Sequence, residues 1–241
     1  MRATASVLPL CVEGLRYAAG GHEILRGVDL TIGPGTPTLV VGPNGAGKSV
    51  LLRVLHGLLA PGAGRIAWGE VPAAQARRRQ AMVLQRPVML RRSALANVAY
   101  PLALAGLPAV ERWARAREAL GRVGLAALAD RPARRLSGGE QQRLALARAW
   151  AMAPEVMFLD EPTASLDPAA TRAVEAIVAG IAQAGTKVVM TTHDLGQARR
   201  LAGDIVFLHQ GRVVEHAAAD AFFAAPRAAE AAAFLRGELL A

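Results

Sequence analysis

The chain is poor in cysteine and in aromatic residues, and its histidines are few. Its 241 residues include one cysteine, Cys11, which excludes an internal disulfide, reads as an ordinary packing residue and makes a reducing compartment the expectation. No cysteine or histidine cluster has metal-ligand spacing. Aromatic side chains make up 4% of the chain and do not interleave with the basic ones, so a stacking platform for single-stranded nucleic acid is unsupported. No window reaches the roughly 18 uninterrupted apolar residues of a membrane span, and the N-terminus lacks a basic segment followed by an apolar stretch and a cleavage site. The expectation is a cytoplasmic chain; if it serves a membrane process, another polypeptide supplies the pore.

Apolar residues are abundant, at 53% of the chain, enough to bury the core of one large α/β domain carrying subdomains. The formal charge of +9 is spread over several helices, and only Arg77-Arg78-Arg79 forms a compact run. That run reads as a solvated helix face, although the charge also suits an anionic membrane surface or an acidic partner. No nucleic-acid partner is expected.

The most specific stretch is Gly42-Pro43-Asn44-Gly45-Ala46-Gly47-Lys48-Ser49, a complete G-x-x-x-x-G-K-[ST] loop straight after the apolar run Thr38 to Val41. Gly42, Gly45 and Gly47 let the backbone wrap a phosphate chain with Asn44 at its tip, and the following helix adds the positive end of its dipole. Lys48 can then reach β and γ phosphates, and the Ser49 hydroxyl can ligate Mg²⁺. Val50, Leu51, Val54, Leu55 and Leu58 recur at helical spacing, and Pro61-Gly62 is expected to close the helix. Kinases, GTPases, helicases and transport ATPases all use such a loop.

Residues near 10 to 40, broken by Gly20-Gly21, Gly33-Pro34-Gly35 and Pro37, read as short strands of an antiparallel sheet. Ala81 to Leu84, Val156 to Leu159 and Lys187 to Thr191 read as strands of a parallel sheet, buried on both faces. Between the first two lies an Ala/Arg/Leu-rich region of helical period, a helical insertion over about 86–151. From about 205 to 241 a hairpin turning at Gly211 is followed by an alanine-rich helical segment. The expected architecture is a single α/β domain over 1–241.

Leu136-Ser137-Gly138-Gly139-Glu140-Gln141-Gln142-Arg143 joins a glycine pair to the start of a helical run. Ser137 and Glu140 fit a capping box, and a capped N-terminus with two glycines is also an open anion site. This string resembles the signature of the ABC ATPases, and the resemblance covers nearly the whole chain. It implies a P-loop NTPase (RecA-like) core with an antiparallel β subdomain and an inserted α-helical subdomain. It also implies two subunits meeting head to tail, as a homodimer or with a related cassette, so that Ser137, Gly138 and Gly139 of one cap ATP held by Lys48 of the other.

The other motifs that carry the resemblance follow in order. Val156-Met157-Phe158-Leu159-Asp160-Glu161 looks like Walker B, which implies that Asp160 holds Mg²⁺ and Glu161 orients or deprotonates the attacking water. Gln85 resembles the Q-loop glutamine that contacts Mg²⁺ and water, and His193 the switch histidine at the γ-phosphate. Ser165-Leu166-Asp167 resembles the D-loop, with Ala164-Ser165 in the reverse of the family's usual order and Asp167 in place. Tyr17 stands where the family stacks adenine; a half-buried strand tyrosine is the alternative reading.

The resemblance further implies a transmembrane permease, indirectly a substrate-binding protein, and a peripheral position on the inner face of the cell membrane. Arg86-Pro87-Val88-Met89-Leu90-Arg91-Arg92 is expected to dock a permease helix. Arg53 to Leu58, Gln85 to Ser93 and Val206 to Arg212 look like importer ATPases of the tungstate type, with molybdate and phosphate next. An amino-acid importer, a soluble ABC ATPase acting on ribosomes or DNA, a small-molecule kinase and a non-catalytic nucleotide-binding module are the rival readings. The intact Lys48, Asp160, Glu161 and His193 oppose the last.

Overall fold

The computed structural model describes residues 5–238. Strands β1 (Leu10–Ala19) and β2 (His22–Ile32) form an antiparallel hairpin turning at Gly20-Gly21, both at positive φ, and they are long rather than the short strands expected. A bulge at Gly14 shifts the alternation, so Val12 and Leu15 both face the core. Strand β3 (Thr38–Val41), fully buried, leads through the glycine-rich loop to helix α1 (Lys48–His56). Gly57, left-handed at φ 82°, ends α1 by donating to the carbonyls of Arg53 and Val54. The helix therefore stops before the expected Pro61-Gly62, and Leu58 is exposed.

Strand β4 (Ala63–Trp68) joins β1, giving a three-stranded sheet of order β2-β1-β4. Helix α2 (Ala73–Arg77) and strand β5 (Gln80–Val83) follow. Arg77 and Arg78 are solvated as expected, but Arg79 pairs with Glu155 at 2.9 Å and donates to the Ala5 carbonyl, so it fastens the N-terminal segment. Three longer helices come next: α3 (Ala94–Leu104), α4 (Ala109–Arg122) and α5 (Gly138–Trp150). The chain then alternates through β6 (Val156–Asp160), α6 (Pro168–Gln183), β7 (Lys187–Thr191) and α7 (Leu195–Leu201). It finishes with β8 (Asp204–His209), β9 (Arg212–Ala218), α8 (Ala219–Ala224) and α9 (Ala229–Leu235). The tail is thus two short helices separated around Pro226 rather than one segment, and residues 239–241 lie outside the described part.

The second sheet runs β5-β6-β7-β3-β8-β9, parallel except for β9. Period-two alternation sends Val40, Phe158 and Val189 toward the antiparallel sheet and α1, and Leu39, Leu159 and Met190 toward the longer helices. Strands β3, β6 and β7 are buried on both faces, as expected of a covered parallel sheet. β5 departs from that expectation: it is the edge strand, and only Val83 is buried.

At the opposite end of this sheet from the strand C-termini, Lys187 is buried, its Nζ donating to the Thr36 carbonyl and lying 3.7 Å from Asp204. Burial lowers the Lys187 pKa, and the Asp204 charge opposes it. Asp204 also accepts from Thr38 Oγ1 at 2.8 Å and pairs with His216 at 2.6 Å. Burial raises the Asp204 pKa, but the His216 and Thr38 hydrogen bonds and the Lys187 charge outweigh it, and the net shift is downward. A depressed carboxylate stabilises the fold above its unfolded pKa of about 3.9 and loses that contribution as pH falls through the folded value. Asp204→Asn is expected to cost about 2 kcal/mol at pH 7, less than a fully buried pair because Asp204 is partly exposed. Denaturant unfolding should show the gap between variant and parent narrowing only below about pH 4.

Candidate functional site

The C-terminal ends of β3, β6 and β7 gather one constellation. At Gly42, with φ 149°, a Cβ would stand 2.0 Å from the Leu208 carbonyl oxygen, so the loop leaves β3 only through glycine. Gly45 and Gly47 are left-handed, at φ 81° and 101°, and Asn44 is exposed at the loop tip. Lys48, the first residue of α1, is buried, and its Nζ donates to the carbonyls of Gly42 at 2.8 Å and Pro43 at 2.9 Å. Burial lowers its pKa, while the nearby Glu161 and Asp160 charges act to raise it.

Asp160 ends β6 and is 1% exposed. Ser49 Oγ donates to its Oδ1 at 2.6 Å, Thr191 Oγ1 donates to the same oxygen at 3.0 Å, and Arg53 Nη2 lies 3.4 Å from Oδ2. Glu161 follows at φ 43°, a left-handed conformation that costs a non-glycine residue of order 1 kcal/mol or more. Its N–H is held by Thr191 Oγ1 at 2.9 Å. Its carboxylate lies 3.1 Å from His193 Nδ1 and 3.5 Å from Gln85 Nε2. Lys48, Ser49, Gln85, Asp160, Glu161 and His193, scattered over the sequence, thus converge.

Ser49 Oγ and the Asp160 carboxylate are the hard oxygen donors that Mg²⁺ takes. Among the described residues no group of three or more His, Cys, Asp or Glu could hold a metal. Mg²⁺ keeps several waters and phosphate oxygens and needs only one or two protein ligands, a number that Ser49 and Asp160 can supply.

The signature lies elsewhere. Ser137 caps α5: its Oγ accepts from the Glu140 N–H at 3.4 Å, and its own N–H donates to Glu140 Oε2 at 2.7 Å, closing the capping box. That backbone hydrogen bond is the main reason the Glu140 pKa is lowered. A Cβ at Gly139 would come within 2.8 Å of Ala170 Cβ, whereas Gly138 has open space. Ser137, Gly138, Gly139 and Asp167 line a cavity of about 460 Å³ that includes no residue of the glycine-rich loop. Asp167 Oδ1 accepts from the Ala169 and Ala170 N–H groups at 2.8 Å as the N-cap of α6. Tyr17 is half-buried on β1 beside Leu25 of β2, the strand whose Ile24 carbonyl abuts Gly47.

Two residues in the constellation were not legible from the motifs. Arg53 stands four positions after Ser49 on α1, so helical spacing alone could have placed it beside the Ser49 partner. Thr191 carried no sign of its role, because its two contacts come from a neighbouring strand.

The ABC transporter family profile matches residues 25–164. The chain is 40% identical over 230 residues to the methionine import ATP-binding protein of Caulobacter vibrioides, covering 91% of this chain and 69% of that protein. It is 39% identical over 217 residues to the tungstate uptake system ATP-binding protein of Peptoclostridium acidaminophilum, covering 90% of this chain and all of that one. A solved ATP-binding cassette, a dimer in a post-hydrolysis state bound to ADP and Pi, superimposes with a TM-score of 0.76 at 28% identity, covering 87% of this chain and 98% of that one. With the nucleotide loop, the paired carboxylates and the capped signature helix in one P-loop NTPase fold, the chain belongs to the ABC transporter family, as an ATP-binding and ATP-hydrolysing cassette.

Proposed function

We propose that this cassette powers import of a small solute, with two cassettes closing head to tail over ATP and each signature capping the nucleotide on its partner's loop. The observation that carries the reading is the meeting of His193 and Gln85 on the Glu161 carboxylate beside Asp160 and Ser49. The loop glycines and Lys48 bind the phosphate chain, and Tyr17 stacks on the adenine. Ser49, Asp160 and Gln85 hold Mg²⁺, which when bound neutralises charge on the phosphate oxygens. Glu161 takes the proton of the attacking water or orients it, and His193 contacts the γ-phosphate. Ser137, Gly138 and Gly139 present N–H groups at a helix N-terminus to the partner's phosphate, and Asp167 crosses the interface nearby. Phosphoryl transfer asks little covalent chemistry of protein, so placing these groups supplies the catalysis.

The helical subdomain over about 86–151 and the C-terminal unit over about 205–241 complete the cassette. A cavity of about 360 Å³ between the edge of the sheet and this helical region is lined by Pro87, Val88, Tyr100, Leu104 and Arg148. Val88 and Leu104 are 68% and 72% exposed, which supports the groove as the dock for a permease helix at the inner membrane face. The described residues contain no helix long and apolar enough to cross a membrane. For the cargo, the full-length match to a tungstate uptake protein supports an oxyanion, with molybdate and phosphate next. The methionine import relative, as similar in sequence, favours an amino acid as the second reading.

Glu161→Gln should retain ATP binding while turnover falls by about 10²-fold or more, with a closed dimer accumulating on gel filtration in ATP. A hydrolysis rate near that of the parent would remove Glu161 from the reaction. Ser137→Phe should abolish hydrolysis yet leave monomer nucleotide affinity intact; an undiminished rate rules out the head-to-tail arrangement. Tagged Glu161→Gln chain recovered from its native cells in mild detergent with ATP should bring down a permease and a binding protein. The binding protein's calorimetric affinities for tungstate, molybdate, phosphate and methionine then identify the cargo, and ribosomal proteins or nucleic acid in place of a permease would overturn the transport reading.

A further inference from the structure

The loop from Glu161 to Asp167 contains two non-glycine residues at positive φ, Glu161 at 43° and Ser165 at 64°. Such conformations persist only where the surroundings hold them. Between them sits Thr163, whose hydroxyl oxygen lies 3.0 Å from Nε2 and 3.3 Å from Oε1 of Gln197. Gln197 is fully buried on α7. Its Nε2 also donates to Glu175 Oε1 at 3.1 Å, and its backbone N–H donates to Asp194 Oδ1 at 3.0 Å. Arg200 grips both oxygens of Glu175, at 3.0 and 2.6 Å, and its hydrogen bonds hold that carboxylate in the charged form.

A carboxylate only accepts, so the Gln197 amide turns one Nε2 hydrogen toward Glu175; its second N–H donates to the Thr163 hydroxyl at 3.0 Å, and Oε1 accepts from that hydroxyl at 3.3 Å. Arg200 and Glu175 therefore fix the amide, and the amide fixes Thr163. The loop that carries Glu161 is thereby fastened to the first turn of α7, directly after His193, and these two residues meet at 3.1 Å.

We propose that Gln197 is a positioning residue for hydrolysis: by clamping Thr163 against the N-terminal turn of α7, it holds the Glu161 carboxylate in register with His193. The inference rests on Glu161 and His193 being the reacting pair. Gln197 touches no reacting atom; it acts through Thr163.

The test is steady-state ATP hydrolysis and thermal unfolding of the full chain carrying Gln197→Leu, Thr163→Val, both together, Thr163→Ser, or Glu161→Gln. Gln197→Leu and Thr163→Val should each lower kcat by about tenfold or more with KM for ATP within about twofold, since small misplacements of reacting groups act on the chemical step. The double variant should be no slower than the slower single one, and Thr163→Ser, which keeps the hydroxyl, should restore the parent rate. Parent kcat in Thr163→Val, additive losses in the double variant, or a Thr163→Ser as slow as Thr163→Val would overturn the proposal. Should Gln197→Leu lower the unfolding temperature too far to assay, the Thr163 pair decides alone. An active Glu161→Gln would instead overturn the reading of the site itself, which keeps the two failures apart.

Discussion

Asp160 is a carboxylate with almost no access to water, and a charge so placed is tolerated only when every oxygen is engaged. Ser49, Thr191 and Arg53 engage it, and in doing so they join the first turns of α1 to the ends of β6 and β7. The same Thr191 hydroxyl accepts the Glu161 N–H, so the backbone that turns Glu161 out of the sheet is fixed by the group that satisfies its neighbour. The order of strands places β6 next to β7 and β7 next to β3, which is why residues more than a hundred positions apart can share one carboxylate. Loss of this hub would expose Lys48 to a different field as well, because Asp160 and Glu161 are the charges that oppose its desolvation.

The signature helix obeys a different rule. A helix start leaves several N–H groups unpaired, and the Ser137–Glu140 capping box consumes two donors while leaving Gly138 in open space and Gly139 close against Ala170. Structural capping and anion binding are thus compatible at one N-terminus rather than alternatives. Its cavity includes Asp167 and Ser165 but none of the phosphate-loop residues. In the single chain the signature cavity and the glycine-rich loop are therefore separate features of the surface.

Much of this was legible before the fold was known, because the residues concerned are constrained locally. The glycine-rich loop, the capping box and the buried strands Val156–Asp160 and Lys187–Thr191 each follow from backbone freedom, capping chemistry or apolar patterning within a short window. Two of the departures lie where neighbours distant in sequence intervene, and the early end of α1 has a local cause. β5 was expected to be covered on both faces and is an edge strand; α1 ends at Gly57 because a left-handed cap satisfies its last carbonyls sooner than Pro61 could stop it; Arg79 serves Glu155 rather than solvent.

The sequence by itself determined which chemistry is available: a phosphate-wrapping loop, an ammonium group at the start of the helix that follows it, two adjacent carboxylates at a strand end and a histidine at the next. These depend on side-chain type and on φ/ψ preferences that short segments carry with them. Only the tertiary structure decided which groups touch. Thr191 bridges Asp160 to Glu161, Arg53 reaches Asp160, and Gln197 reaches Thr163 because sheet order and helix packing bring together atoms that no local periodicity relates, and a buried polar group binds whichever partner the fold sets within about 3 Å of it.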